Sequence, residues 1–160
     1  SLIGEYIGVK DMLKNAWFWF GNQGWEYLEI GRAWQYLMAV GLVIWALLLL
    51  RSVKPSKMEP EDRELKTLFI MAAFSIPFFY IPAFFFGSTS NFSTVDTWRF
   101  WIIHLWVEGF FEVFATVMVA IMFYKLGLVA RQTATRIIYL DAVLFLGAGI
   151  LGTGHHWYWN

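Results

Sequence analysis

Cysteine is absent from this 160-residue chain, which excludes disulfides, thiolate metal sites and cysteine nucleophiles and leaves the redox compartment undetermined. Charge is scarce too, at 15% of residues against roughly 25% in an average soluble domain. The 12 basic and 12 acidic residues cancel, so the basic footprint of a nucleic-acid-binding protein is missing. There is no internal repeat and no low-complexity tract. The opening "SLIGEYIGVKDML" has neither an initiator Met nor the basic-then-apolar pattern of a signal peptide, and the chain reads as an internal segment of a longer polypeptide. What it has in abundance is apolar surface: 59% of residues are hydrophobic and 21% aromatic, the composition of a membrane protein.

Crossing a bilayer takes about 20 residues of helix at 1.5 Å rise each. Four stretches suffice, at 33–50, 67–86, 100–124 and the apolar part of 137–160, near Ile137 to Trp157. All are read as helices, because lipid offers the backbone no other partner and none shows the alternation of a barrel strand. The expected fold is therefore all-α, a polytopic transmembrane bundle of four spans. An interfacial segment at 1–32 and polar connectors at 51–66, 87–99 and 125–136 complete it. The connectors 51–66 and 125–136 hold eight of the 12 basic residues, which assigns them to the cytoplasmic side. Trp17, Trp19, Trp25, Trp34, Trp98, Trp101, Trp157 and Trp159 gather at the opposite, periplasmic interface, where amphipathic rings settle. Pro77 and Pro82 are expected to kink the second span.

The third span contains "HLWVEGFFEVF", one histidine and two carboxylates in a run otherwise fit for lipid. On an α-helix His104, Glu108 and Glu112 share one stripe. A charge at mid-membrane costs on the order of 3 kcal/mol even on the mildest scale, so such a stripe turns inward and marks a functional site, unless its members are merely neutral, hydrogen-bonded packing groups. The remaining histidines, His155 and His156, stand together in "LGTGHHWYWN". Counting rises puts His104 roughly 9 Å below the outer entry of its span and the His pair roughly 27 Å up a core about 30 Å thick. All three imidazoles thus fall in the outer half, where with a carboxylate they would form a metal site. Imidazole alone suits copper or zinc, and an added carboxylate shifts the preference toward a labile non-haem iron(II).

With those residues in view, "HLWVEGFFEVF" followed 51 residues after its histidine by "GTGHHWYW" resembles the catalytic subunit of the nitric oxide reductases, in the haem-copper oxidase superfamily. Oxygen-reducing oxidases carry proline directly after the first histidine and tyrosine four residues on, where this chain has Leu105 and Glu108. "GNQGWEYLEIGR" at 21–32 is closer in wording to the single-chain, quinol-dependent branch than to the cytochrome-linked one.

The resemblance implies that His104, His155, His156 and Glu108 hold a non-haem iron opposite haem b3. The activity it implies is 2 NO + 2 e⁻ + 2 H⁺ → N₂O + H₂O. The three histidines being taken, the axial ligands of haem b and haem b3 are expected outside this segment, as is the site for quinol or a cytochrome c type donor. Glu112, one turn deeper than Glu108, is either a proton relay or a neutral packing acid. Glu26 and Glu29 in "WEYLE" read by spacing as a solvated pair or as hard oxygen donors for calcium. The resemblance implies calcium at Glu26, with Glu29 supporting that site or proton entry. The expected location is the cytoplasmic (inner) membrane of a bacterium or archaeon, metal site toward the periplasm, and a homodimer is left open. Two other activities remain: an NO-dismutating relative that releases nitrogen and oxygen, and a non-redox metal or proton carrier.

Overall fold

The computed structural model describes residues 16–21, 30–53 and 62–149, the side chains of Ala16, Trp17 and Glu108 excepted. Among the described residues every regular element is helical. A short helix α1 (Ala16–Phe20) leads to α2 (Arg32–Ser52), then α3 (Arg63–Phe79), which passes into a 3-10 turn at Ile81–Phe84. The next rod consists of α4 (Phe92–Phe100), a π-helical segment Trp101–Phe110 and α5 (Phe111–Lys125), and α6 (Arg131–Leu144) ends in a second π segment, Phe145–Gly149. Three helices among the described residues, Arg32–Ser52, Arg63–Phe84 and Phe92–Lys125, are long and apolar enough to cross a membrane. The chain is a multi-pass, all-α membrane bundle.

Helix extends beyond the apolar stretches. Residues 92–99 lie within the connector expected at 87–99, yet they are helical, because the Asn91 side chain accepts the Thr94 N–H at 3.0 Å and caps the first turn. Residues 131–136, expected as connector, likewise open α6. Hydropathy marks the length that faces lipid; backbone hydrogen bonding carries on into the polar flanks. Pro82 stands where α3 gives way to the 3-10 turn, and Pro77 lies inside α3. The Ile76 carbonyl near that irregular end takes the Trp106 indole N–H at 2.7 Å, the neighbour-supplied satisfaction that a broken helix in lipid requires.

The core forms two clusters. One joins α3, α5 and α6 through Leu65, Phe69, Ala72, Val117, Ala120, Ala134 and Ile138. The other joins α3 to the first π segment through Ile76, Tyr80, Ala83, Ile102 and Trp106, with Met38, Leu42 and Trp45 of α2 packed against it. Alanines recur at these contacts, as expected where lipid cancels the hydrophobic drive and close backbone approach holds helices together. Val40, Ile44, Leu47 and Leu48 of α2, and Leu140, Val143 and Leu144 of α6, stay exposed, surfaces suited to lipid or further spans.

Polar ties close both ends. The buried Arg32 guanidinium donates to the Ala83 carbonyl at 2.8 Å and to that of Phe86, among the rings of Phe18, Phe84 and Phe86. At the far end, buried Asp62 accepts from the Lys125 ammonium and from the Tyr124 hydroxyl, the latter at 2.7 Å. Gly127 follows with φ +71°, a left-handed turn that ends α5 and starts the return into α6.

The Lys125 hydrogen bond, then that from Tyr124, holds the Asp62 carboxyl below the usual carboxylate range. A depressed folded-state value stabilises above the unfolded one and fades as pH falls through it. With Lys125 half exposed, the tie contributes on the order of 1 kcal/mol. Asp62→Asn should therefore lower the thermal midpoint of the full-length protein in detergent at pH 7, the gap to wild type closing in acid below the carboxylate range. Equal midpoints at neutral pH would show that the tie contributes nothing.

Candidate functional site

Across Trp101–Phe110 the backbone bonds from i to i+5, and the Phe111 N–H still reaches back to the Trp106 carbonyl. Wide turns of this kind within helices are frequent at functional sites. Residues four apart still fall near one face of so wide a turn, and His104 and Glu112 line one wall of a shared cleft of about 480 Å³, between the π segment with α5 on one side and α6 with the second π segment on the other.

His104 is 8% exposed and its ring stacks on Phe100 at 5.3 Å. Its Nε2 lies 2.9 Å from the Gly149 carbonyl oxygen. A carbonyl only accepts, so Nε2 carries the proton, and in neutral imidazole the lone pair is then on Nδ1. Metal-binding histidines are oriented in this manner, one ring N–H donated to a carbonyl and the other nitrogen turned to the ion. The donor chemistry of His104 thus fits a metal ligand. Two aromatic-to-glycine contacts set the approach of the walls: the Phe145 ring lies over Gly109 and Gly149, and it meets Phe110 edge-on at 5.0 Å.

Glu112 is exposed on the cleft wall, in the first turn of α5. The backbone of Glu108 lies in the π segment between His104 and Glu112. Its side chain, and all of His155, His156, Glu26 and Glu29, lie outside the described residues. Among the described residues no three of His, Cys, Asp and Glu gather as a metal cluster.

One cleft residue escapes a reading by motif. Asp141 of α6 lines the opposite wall, and its Oδ2 is buried with no hydrogen-bond partner among the described residues. A signal is present in the sequence, since Asp141 is the lone charge in the apolar run from 137 to 160 and intramembrane acids are functional candidates by default. Gly109 and the π segment at Trp101–Phe110 carry no comparable pattern.

Comparison with known proteins adds the family. The family described as Cytochrome C and Quinol oxidase polypeptide I matches residues 3–160. A curated relative from Stutzerimonas stutzeri, named as a subunit of nitric oxide reductase, is 26% identical over 158 residues, 99% of this chain and 32% of its own length. The chain therefore spans about a third of the relative it matches.

A Cβ at position 109 would stand 1.9 Å from Phe145 Cε2. Gly109→Ala should therefore push α6 and its π segment off the first wall and destabilise the full-length protein by about 1–3 kcal/mol, part of which the better helix propensity of alanine, worth up to about 1 kcal/mol, offsets. Thermal unfolding in detergent measures this, and a midpoint at or above wild type would mean that Phe145 does not seal this wall.

Proposed function

This chain belongs to the cytochrome c and quinol oxidase polypeptide I family, and from that premise we propose that it supplies the non-haem iron side of the centre at which a nitric oxide reductase converts 2 NO, 2 e⁻ and 2 H⁺ into N₂O and H₂O. The observation that carries the proposal is His104, buried beside a polar intramembrane cleft with its Nε2–H donated to the Gly149 carbonyl. The name of the Stutzerimonas relative, aligned over 99% of this chain, supports the same activity.

His104, His155, His156 and Glu108 would hold the iron. When bound there, iron would supply Lewis-acid and one-electron chemistry for joining two NO molecules. Haem b and haem b3 would take their axial ligands from other parts of the protein, as would the quinol, the favoured electron donor over a cytochrome c type. Glu26 would bind calcium, with Glu29 supporting it.

The chain's own residues hold geometry and move protons. The Gly149 carbonyl fixes the His104 tautomer, so Nδ1 faces its task without a proton to lose. The Phe100 ring, stacked on that imidazole at 5.3 Å, covers one of its faces. Glu112, on the cleft wall, would accept and release protons consumed in the reaction. The excess of basic residues in the connectors 51–66 and 125–136 favours insertion in a bacterial or archaeal cytoplasmic membrane with His104 toward the periplasm.

Membranes bearing the full-length protein, given NO and a reductant, should form one N₂O for two NO. Oxygen release would instead indicate dismutation, and the absence of both gases with no haem spectrum would leave a carrier. His104→Ala should strip non-haem iron from purified protein and abolish turnover; iron retained at the wild-type level would remove His104 from the ligand set. Glu112→Gln should slow turnover about 100-fold at unchanged iron content, and steady-state activity equal to wild type would dismiss the relay.

A further inference from the structure

Asp141 is an acid within a membrane bundle that no ligand assignment uses. It stands ten residues into α6, roughly 15 Å along the helix from Arg131 at 1.5 Å per residue, about halfway through a core of about 30 Å. Glu112 stands 13 residues before Lys125, roughly 20 Å from the same end of the hairpin. His104 lies farther along the same rod. Asp141, Glu112 and His104 thus form an ascending series along one cleft, from the bundle's middle toward the candidate iron site.

The buried Oδ2 of Asp141, without a hydrogen-bond partner among the described residues, is costly whichever charge state it holds. A protonated carboxyl needs an acceptor and a carboxylate needs donors. The cleft, at about 480 Å³, has room for several waters, which need polar partners of this kind. A water-filled, acid-lined cleft is the setting in which an intramembrane carboxyl shuttles protons instead of merely packing. The titratable groups that line the cleft with Asp141, among the described residues, are His104 and Glu112.

We propose that Asp141 is the proton-relay residue that precedes Glu112, carrying protons from the basic-connector end of the bundle across the α5–α6 cleft. In each transfer the O–H bond of the Asp141 carboxyl breaks as its proton passes through cleft water to the Glu112 carboxylate, forming an O–H bond there. The resulting Asp141 carboxylate then takes the excess proton of a hydronium supplied from the basic-connector side, leaving water behind, so one proton moves and no electron does. The proposal rests on a reaction that consumes protons at the His104 end of the cleft, as nitric oxide reduction does. Asp141 acts through Glu112 and touches no reactant, which makes it a positioning residue for protons.

The test uses the full-length holoenzyme with Asp141→Asn, Asp141→Glu, Glu112→Gln and the Asp141→Asn/Glu112→Gln double variant. Asp141→Asn should slow NO turnover about 100-fold at unchanged iron and haem content, and should remove one carboxylic-acid C=O band from the redox-difference infrared spectrum. Asp141→Glu should restore most of the rate with a displaced pH profile. For a relay in series the double variant should be no slower than the slower single variant. Unchanged turnover and pH profile in Asp141→Asn, or rate losses that multiply in the double variant, would overturn the relay. If Asp141→Asn fails to assemble, Asp141→Glu decides, and a pH profile identical to wild type counts against it. Wild-type protein that forms no N₂O sinks the parent proposal, whereas the infrared band reports Asp141 protonation whichever gas is made.

Discussion

The hydrogen bond from the His104 imidazole to the Gly149 carbonyl fastens two π-helical segments on different rods, and the cleft exists because that bond and the Phe145 contact set the distance between its walls. The Gly149 carbonyl takes the N–H of a side chain fit to be a metal ligand, and the Ile76 carbonyl takes that of Trp106. The irregular stretches and the chemically competent groups thus meet through backbone carbonyls that orient side-chain rings.

Around that seam the bundle relies on shape more than on apolar burial. Ala46, Ala72, Ala73, Ala120 and Ala134 are buried while long residues of α2 and α6 point outward, the reverse of a soluble helical protein and the arrangement lipid favours. At the ends, Arg32 gathers the Ala83 and Phe86 carbonyls and Asp62 gathers Lys125 and Tyr124. Between these ends, His104, Glu112 and Asp141 open on the same interior space.

The all-α membrane bundle is legible in the sequence because lipid permits so few backbone solutions that apolar length alone nearly decides. Helix ends are less legible. Asn91 extends a helix into a connector by a local side-chain cap, a matter of one hydrogen bond that hydropathy does not register. At the site, His104 and Glu112 stand out as ionisable groups in an apolar run, and they line one cleft, although the π-helical backbone between them is not legible in their spacing. The opposite wall of that cleft is a matter of tertiary packing, in which Gly109 and Phe145 take part. Asp141 obeys the same rule as Glu112 but lacks a neighbour in sequence to draw notice, since the ionisable groups that share its cleft, His104 and Glu112, lie on another rod.

Gly127, in a left-handed conformation at the tip of the α5–α6 hairpin, has a reach well beyond its own turn. In an antiparallel pair the height of each residue on one rod against the other is a matter of counting away from the bend. The offset between the two cleft carboxyls, roughly one helical pitch, is thus written at the membrane surface by the length and handedness of a few connecting residues. A single residue inserted there would slide one rod past the other and rephase every cross-helix pairing at once, leaving each rod's own sequence untouched.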